Sequence, residues 1–163
     1  MPATGNRALR HMAWANQRVY HSLNSLPDEA LTSFIVNPEW NAQRIIQHIV
    51  SGADWYVYCL TGEMWSEVPT PSAIKEIEEL AVMLANFDAK IISHAGLPDE
   101  PLTIREEGES WQNLRSTLLA QAIHHATEHR AQLIDALESK GFTPINLDDI
   151  DFWAFEKFEK QAL

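Results

Sequence analysis

The sequence predicts an all-α fold, a four-helix bundle of antiparallel type with a short C-terminal fifth helix. Three observations carry that expectation. Four long segments repeat apolar residues every three or four positions, the mark of a helix with one buried face. Glycine, proline and capping residues fall where those helices would start and stop. Apolar residues make up 45% of the 163 positions, enough for a real core in a single domain over residues 1–163.

The first helix is expected from about Thr4 to Leu26, with Met12, Asn16, Val19, Leu23 and Leu26 along one face and Pro27-Asp28-Glu29 ending it. The second opens near Trp40 or Asn41, after Pro38, and runs to Leu60 before Thr61-Gly62. Its stripe is Ile45, His48/Ile49, Gly52, Trp55/Tyr56 and Cys59/Leu60. The third begins at Pro71-Ser72, where Ser72 can cap and Glu76 and Glu78 suit the positive end of the helix dipole. Ile74, Ile77, Ala81, Leu84, Phe87 and Ile91 form its buried face, and Gly96 stops it. Glu76, Glu78 and Glu79 read as a solvated face.

Leu102 to Gly108 and Glu109 reads as a short extended stretch or hairpin, not a sheet of consequence. The fourth helix is expected from about Ser110, a candidate N-cap, through Lys140 to a C′ glycine at Gly141. Leu114, Leu118, Ala122, His125, His129, Leu133 and Ala136 are its stripe. After Phe142-Thr143-Pro144-Ile145-Asn146, the segment Leu147 to Phe158 forms the aromatic-rich fifth helix. Trp14, Trp55, Tyr56, Trp111, Trp153 and Phe155 are mostly packing material, with one or two lining a cavity.

Charge narrows the function. Twelve Lys and Arg against 23 Asp and Glu give a net charge of −11, and no basic cluster interrupts it. Such a surface repels phosphate backbones, so nucleic-acid binding is not expected. Cys59, the only cysteine, excludes an internal disulfide and reads as a small core residue. The stretch Met1 to Arg7 has no apolar signal-peptide region and no run reaches membrane-spanning length, so a cytoplasmic protein is expected. There is no His-Glu-x-x-His, no Glu-x-x-His, no glycine-rich phosphate loop and no Gly-x-Ser-x-Gly. Zincin proteolysis, ferritin-like di-iron chemistry and the α/β-hydrolase elbow are set aside on those grounds.

The chemistry lies in the histidines. His125 and His129 are four residues apart on one helix, and His48 lies far upstream on another, each interrupting an apolar stripe. Residues four apart differ by roughly 40° in direction and rise about 6 Å, so both rings can bend toward one ion. A third ring from a facing helix makes a tripod that leaves the metal an open position. His124 points about 100° away from His125, toward solvent or an outer position. The competing reading is a set of hydrogen-bonded core histidines. Asn16, on an apolar face, either bonds a ligand histidine, lines the pocket or satisfies backbone at a helix crossing; Asp54, six residues after His48, is either a solvated or locally paired carboxylate or a support behind a ligand ring, and Trp55 is a candidate for the pocket.

With these residues in place, the chain resembles the DinB-like superfamily of bacterial metal-binding four-helix bundles. Met12-Ala13-Trp14-Ala15-Asn16-Gln17-Arg18-Val19-Tyr20 is similar to the family's first helix. Ile46-Gln47-His48, Asp54-Trp55-Tyr56 and Leu60-Thr61-Gly62 are similar to its second. His125-Ala126-Thr127-Glu128-His129-Arg130-Ala131-Gln132-Leu133 resembles the signature His-x-x-x-His-Arg-Gly-Gln-Leu, with Ala131 in place of the usual glycine. That departure concerns backbone packing more than ligation. The resemblance implies an up-down-down-up bundle, His48, His125 and His129 as ligands of a divalent transition metal (Zn, Ni or Fe), and homodimerisation. It implies no DNA binding.

Characterised relatives include metal-dependent transferases and isomerases that use low-molecular-weight thiols such as bacillithiol and mycothiol. The leading expectation is therefore a metalloenzyme, a thiol S-transferase or hydrolase, whose ion activates a thiol or water toward a small electrophile. The sequence offers no evident general base. A non-catalytic, metal-stabilised binding or sensing module is the alternative, and a metal-free bundle with core histidines is the third reading.

Overall fold

Five α-helices, four short 3₁₀ turns and one two-stranded hairpin account for the regular structure of residues 3–162, the span that the computed structural model describes. Helix α1 spans Ala3–Leu23, α2 Ala42–Thr61, α3 Ile77–Ser93, α4 Arg115–Glu138 and α5 Phe152–Gln161; strands β1 and β2 span Pro101–Glu106 and Glu109–Leu114.

Local chemistry sets the ends. α1 stops at Leu23 and does not reach Leu26, because Asn24, Ser25 and Leu26 each donate to the carbonyl three residues back and wind the chain into a tight turn. α2 starts where Asn41 Oδ1 accepts the Arg44 amide at 3.1 Å. It stops at Gly62, whose φ of 77° is left-handed and whose amide returns to Tyr58 O at 2.7 Å.

Two expected starts are corrected. Ser72 does not cap α3: its amide and hydroxyl both turn to the Glu76 carboxylate, holding a 3₁₀ turn at Ile74–Glu76, and the α-helix proper begins at Ile77. Ser110 is not the N-cap of α4. It lies in β2, opposite Arg105, in a register running from Pro101↔Leu114 to Glu106↔Glu109. The two-residue turn between the strands, Glu107 at φ 49° and Gly108 at φ 86°, is the left-handed pair that tight hairpins favour. The cap on α4 comes from outside the expected segment: Asp99 accepts the Ser116 amide at 2.9 Å and its hydroxyl at 2.8 Å. Leu114, expected on the buried stripe, is consequently 46% exposed.

In the interior, α1 packs on α3 and α4, and α2 packs on the same two helices. Eleven residues of α2 are buried, more than one stripe supplies, because it has neighbours on both sides. On α3 the stripe runs through Ile77, Leu80, Leu84, Asp88 and Ile91; Ala81 and Phe87, expected on it, are half-buried at its margin. α5 lies against the start of α1, where His11 stacks on Phe152 at 4.1 Å between ring centres and its Nε2 meets Ile150 O at 2.7 Å. No described helix is long and apolar enough to cross a membrane.

Candidate metal centre

α2 and α4 pack side by side, and their contact brings the three histidines together. One nitrogen from each of His48, His125 and His129 can be chosen so that all lie within 4.8 Å of one another. Nε2 of His48 and Nε2 of His125 are 3.0 Å apart. Two nitrogens bound to one ion at about 2.0–2.1 Å stand about 2.9–3.4 Å apart for octahedral to tetrahedral angles. The His129 ring sits 4.4 Å from that of His125 and 4.5 Å from that of His48, nearly perpendicular to the latter at 89°.

Gly52 makes the room. It lies one turn beyond His48, and the His125 ring rests directly on its backbone. A Cβ there would fall 2.2 Å from Cε1 and 2.8 Å from Nε2 of His125. Only a residue without a side chain lets the two helices approach closely enough for the rings to meet.

Orientation of His129 is fixed from outside. Gln132, three residues on and so on the same side of α4, places Oε1 2.9 Å from Nδ1 of His129. The Trp40 indole N–H, which can only donate, reaches the same oxygen at 3.0 Å. The shared oxygen is thus an acceptor, Nδ1 of His129 carries the hydrogen, and Nε2 is left with a free lone pair. Trp40 also stands edge-on to the rings of His48 and His129 at 5.1 and 5.6 Å.

The electrostatics keep two of the rings, those of His48 and His125, neutral. Burial, then the neighbouring His129 and Arg44, lower the pKa of His48. Burial, then His129 and His48, bring that of His125 down to about 4. Neutral imidazole is the ligating form, so at neutral pH these donors do not have to lose a proton before they bind.

A family model described as the DinB family matches residues 1–161. The chain belongs to the DinB family. A search of curated proteins returns no match to it. For this DinB chain the three histidines form a cluster able to hold a metal ion, and the donor set suits a divalent transition metal: three imidazoles with their nitrogens close together, a glycine cradle under one ring and an acceptor behind another.

The remaining candidate residues separate. Asn16 is 1% exposed and lines a small internal cavity together with His125, but its own bonds go to Asp88 and Arg130. Asp54 points elsewhere: its Oδ2 accepts the Ser66 amide at 2.6 Å and so ties the chain after α2 back onto that helix. Trp55 packs tilted against Tyr58 and edge-on against Trp65, at 5.3 and 5.2 Å between ring centres, in an aromatic group of its own. His124 is exposed, as its angular position predicts. Gly52, Gln132, Trp40, Asp88 and Arg130 were not singled out as functional by sequence reasoning. Gln132 carried a signal, its i+3 spacing from His129, as did Asp88, a carboxylate on an apolar stripe.

Proposed function

We propose that this DinB protein is a divalent-metal-dependent enzyme in which His48, His125 and His129 hold one ion through Nε2 and a low-molecular-weight thiol or water is activated for transfer to a small electrophile. The single observation that carries the reading is the 3.0 Å approach of two Nε2 atoms from different helices, with the third ring alongside. A bound Zn, Ni or Fe ion would supply Lewis acidity and lower the pKa of a coordinated nucleophile. The chain's own part is positional. Gly52 sets the depth of His125, Gln132 and Trp40 set the tautomer of His129, and the half-buried setting keeps His48 and His125 uncharged.

Under the same reading the chain is one domain, an up-down-down-up four-helix bundle. Contacts at the helix ends support that direction. Lys90 near the end of α3 reaches Glu63 just past the end of α2 at 2.5 Å, while Ser139 after α4 reaches Phe34 ahead of α2 at 3.2 Å. On this reading α2 and α3 run together, with α1 and α4 against them. A cytoplasmic homodimer completes the proposal.

The test is metal content and turnover together. Protein purified with added Zn(II), Ni(II) or Fe(II) should carry about one ion per chain, and His125→Ala should carry almost none. Turnover of a chromogenic electrophile with a small thiol should vanish on chelation. Stoichiometric metal without any thiol- or water-dependent turnover would overturn the enzymatic part. A second reading has an observation of its own: the ligands come from two helices, so an ion here would pin α2 to α4 in a purely structural role. A melting temperature that collapses on chelation, with no exchangeable ligand on the ion, would favour it.

A further inference from the structure

Asp88 is 1% exposed, in the middle of α3. Its Oδ2 accepts from the Asn16 amide at 2.9 Å, and Asn16 Oδ1 in turn accepts from the Arg130 guanidinium at 2.6 Å. The asparagine thus stands between a buried anion and a buried cation. Oδ1 of Asp88 has no partner among the described residues. A buried carboxylate oxygen without a hydrogen bond is costly, and native proteins seldom leave one so.

The same carboxylate lines a cavity of about 10 Å³ whose wall also includes Asn16, Tyr56, Ala122, Ala126 and His125. One water needs about 10–15 Å³ and at least two polar partners. His125 meets His48 through Nε2, which leaves Nδ1 as its remaining polar atom. We propose that a single ordered water in this cavity accepts the Nδ1–H of His125 and donates to Oδ1 of Asp88, making Asp88 the positioning residue of that ligand.

The inference rests on the metal reading and deepens it. Both candidate ligands on α4 are then held in one tautomer by an acceptor behind the ring, His129 by Gln132 directly and His125 by Asp88 through water. The arrangement also accounts for an acid at position 88. A water that must receive from an imidazole needs an acceptor on its far side, and a carboxylate oxygen is one. An amide in its place can turn its NH₂ toward the water, which then donates to Nδ1 and moves the ring hydrogen to Nε2, where it blocks ligation.

Long-range ¹H–¹⁵N correlation spectra of the metal-free wild-type protein at about pH 8, where the Asp88 carboxyl is ionised, read the tautomer directly, and Zn(II) competition against a chromophoric chelator at the same pH reads the affinity. The expected results are an Nδ1–H tautomer for His125, its conversion to Nε2–H in Asp88→Asn, and a Zn(II) Kd raised by about 10–100-fold in that variant. An Nε2–H tautomer in the wild type overturns the proposal, and so does an Asp88→Asn protein with unchanged tautomer and affinity. If Asp88→Asn does not fold, the wild-type spectrum decides alone. A wild-type protein that shows the Asp88-dependent Nδ1–H tautomer but binds no Zn(II) upholds the bridge and overturns the metal reading, so the two failures are distinguishable.

Discussion

At Gly52 one methyl group decides whether His125 can stay in place. The added Cβ would sit far inside contact distance of the ring, so Gly52→Ala must turn the imidazole or separate α2 from α4. Overpacking of this kind destabilises by about 1–3 kcal/mol. Zn(II) affinity should fall with it, and a chelator titration beside a urea melt would show both losses; a variant that keeps wild-type affinity would mean the ring has room to spare. Gln132→Leu makes a different case. It leaves the helix intact yet removes the acceptor for His129 and Trp40, and should weaken Zn(II) binding by about 10–100-fold with little change in the melt. The ligands were legible in the sequence because an i,i+4 pair on an apolar stripe is a local pattern. Gly52 and Trp40 were not, since each acts on a ring through a packing contact that spacing alone does not specify. For Asp54 the sequence leaves open a solvated or locally paired carboxylate and a support behind a ligand ring; the chain after α2 folds back and pairs the carboxylate locally with the Ser66 amide.

Among the elements, the best-read boundaries were those with local stop and start chemistry. Asn41 and Gly62 enclose α2 as its sequence predicts, with a side-chain cap at one end and a left-handed residue at the other. Asn41→Ala should destabilise the fold by about 1 kcal/mol, measured as a lower urea midpoint at unchanged slope. α4 was misread at its start for a physical reason. Trp111 and Leu114 are three apart and continue the helical period of Leu118 backward, yet strand pairing claims them first, with Trp111 opposite Ile104. Helix and strand differ there by partners, which periodicity does not report. The cap that does start α4 belongs to Asp99, on the far side of the hairpin. Asp99→Ala should therefore fray the first turn of α4 and lower the urea midpoint, with amide exchange speeding up at Ser116 and not at Ser110. Equal exchange at both would show that the hairpin, not the carboxylate, holds the helix start.

For the whole molecule, the buried Asp88 sets a pH dependence opposite to that of an ordinary paired acid. Burial pushes its pKa up from 3.8 to about 7, against the opposing pull of the Asn16 bond and Arg130. The groups around it are fixed in charge near neutrality: burial lowers Arg130 only to about 10, and raises Tyr20 well above the usual phenol range. Between pH 4 and 7 the folded chain then holds a proton on Asp88 that the unfolded chain has already released. Fewer protons bound in the unfolded state means that stability falls as pH rises across that window, by an amount on the order of a few kcal/mol, and levels off above it. The histidines His11, His48, His94 and His125 work the other way in metal-free protein. Their folded pKa values are lowered by burial, so the unfolded chain binds their protons first and stability is lost as pH falls below about 6.5. In metal-free wild-type protein the two trends offset each other and the profile of urea midpoints from pH 4.5 to 7.5 should be shallow. Asp88→Asn removes one of them. Its profile should decline steadily toward acid, crossing the wild-type curve so that the variant is relatively more stable at pH 7.5 than at pH 5. Parallel curves for the two proteins would mean that Asp88 is already ionised in the fold at pH 5, held there by Arg130 across the Asn16 amide.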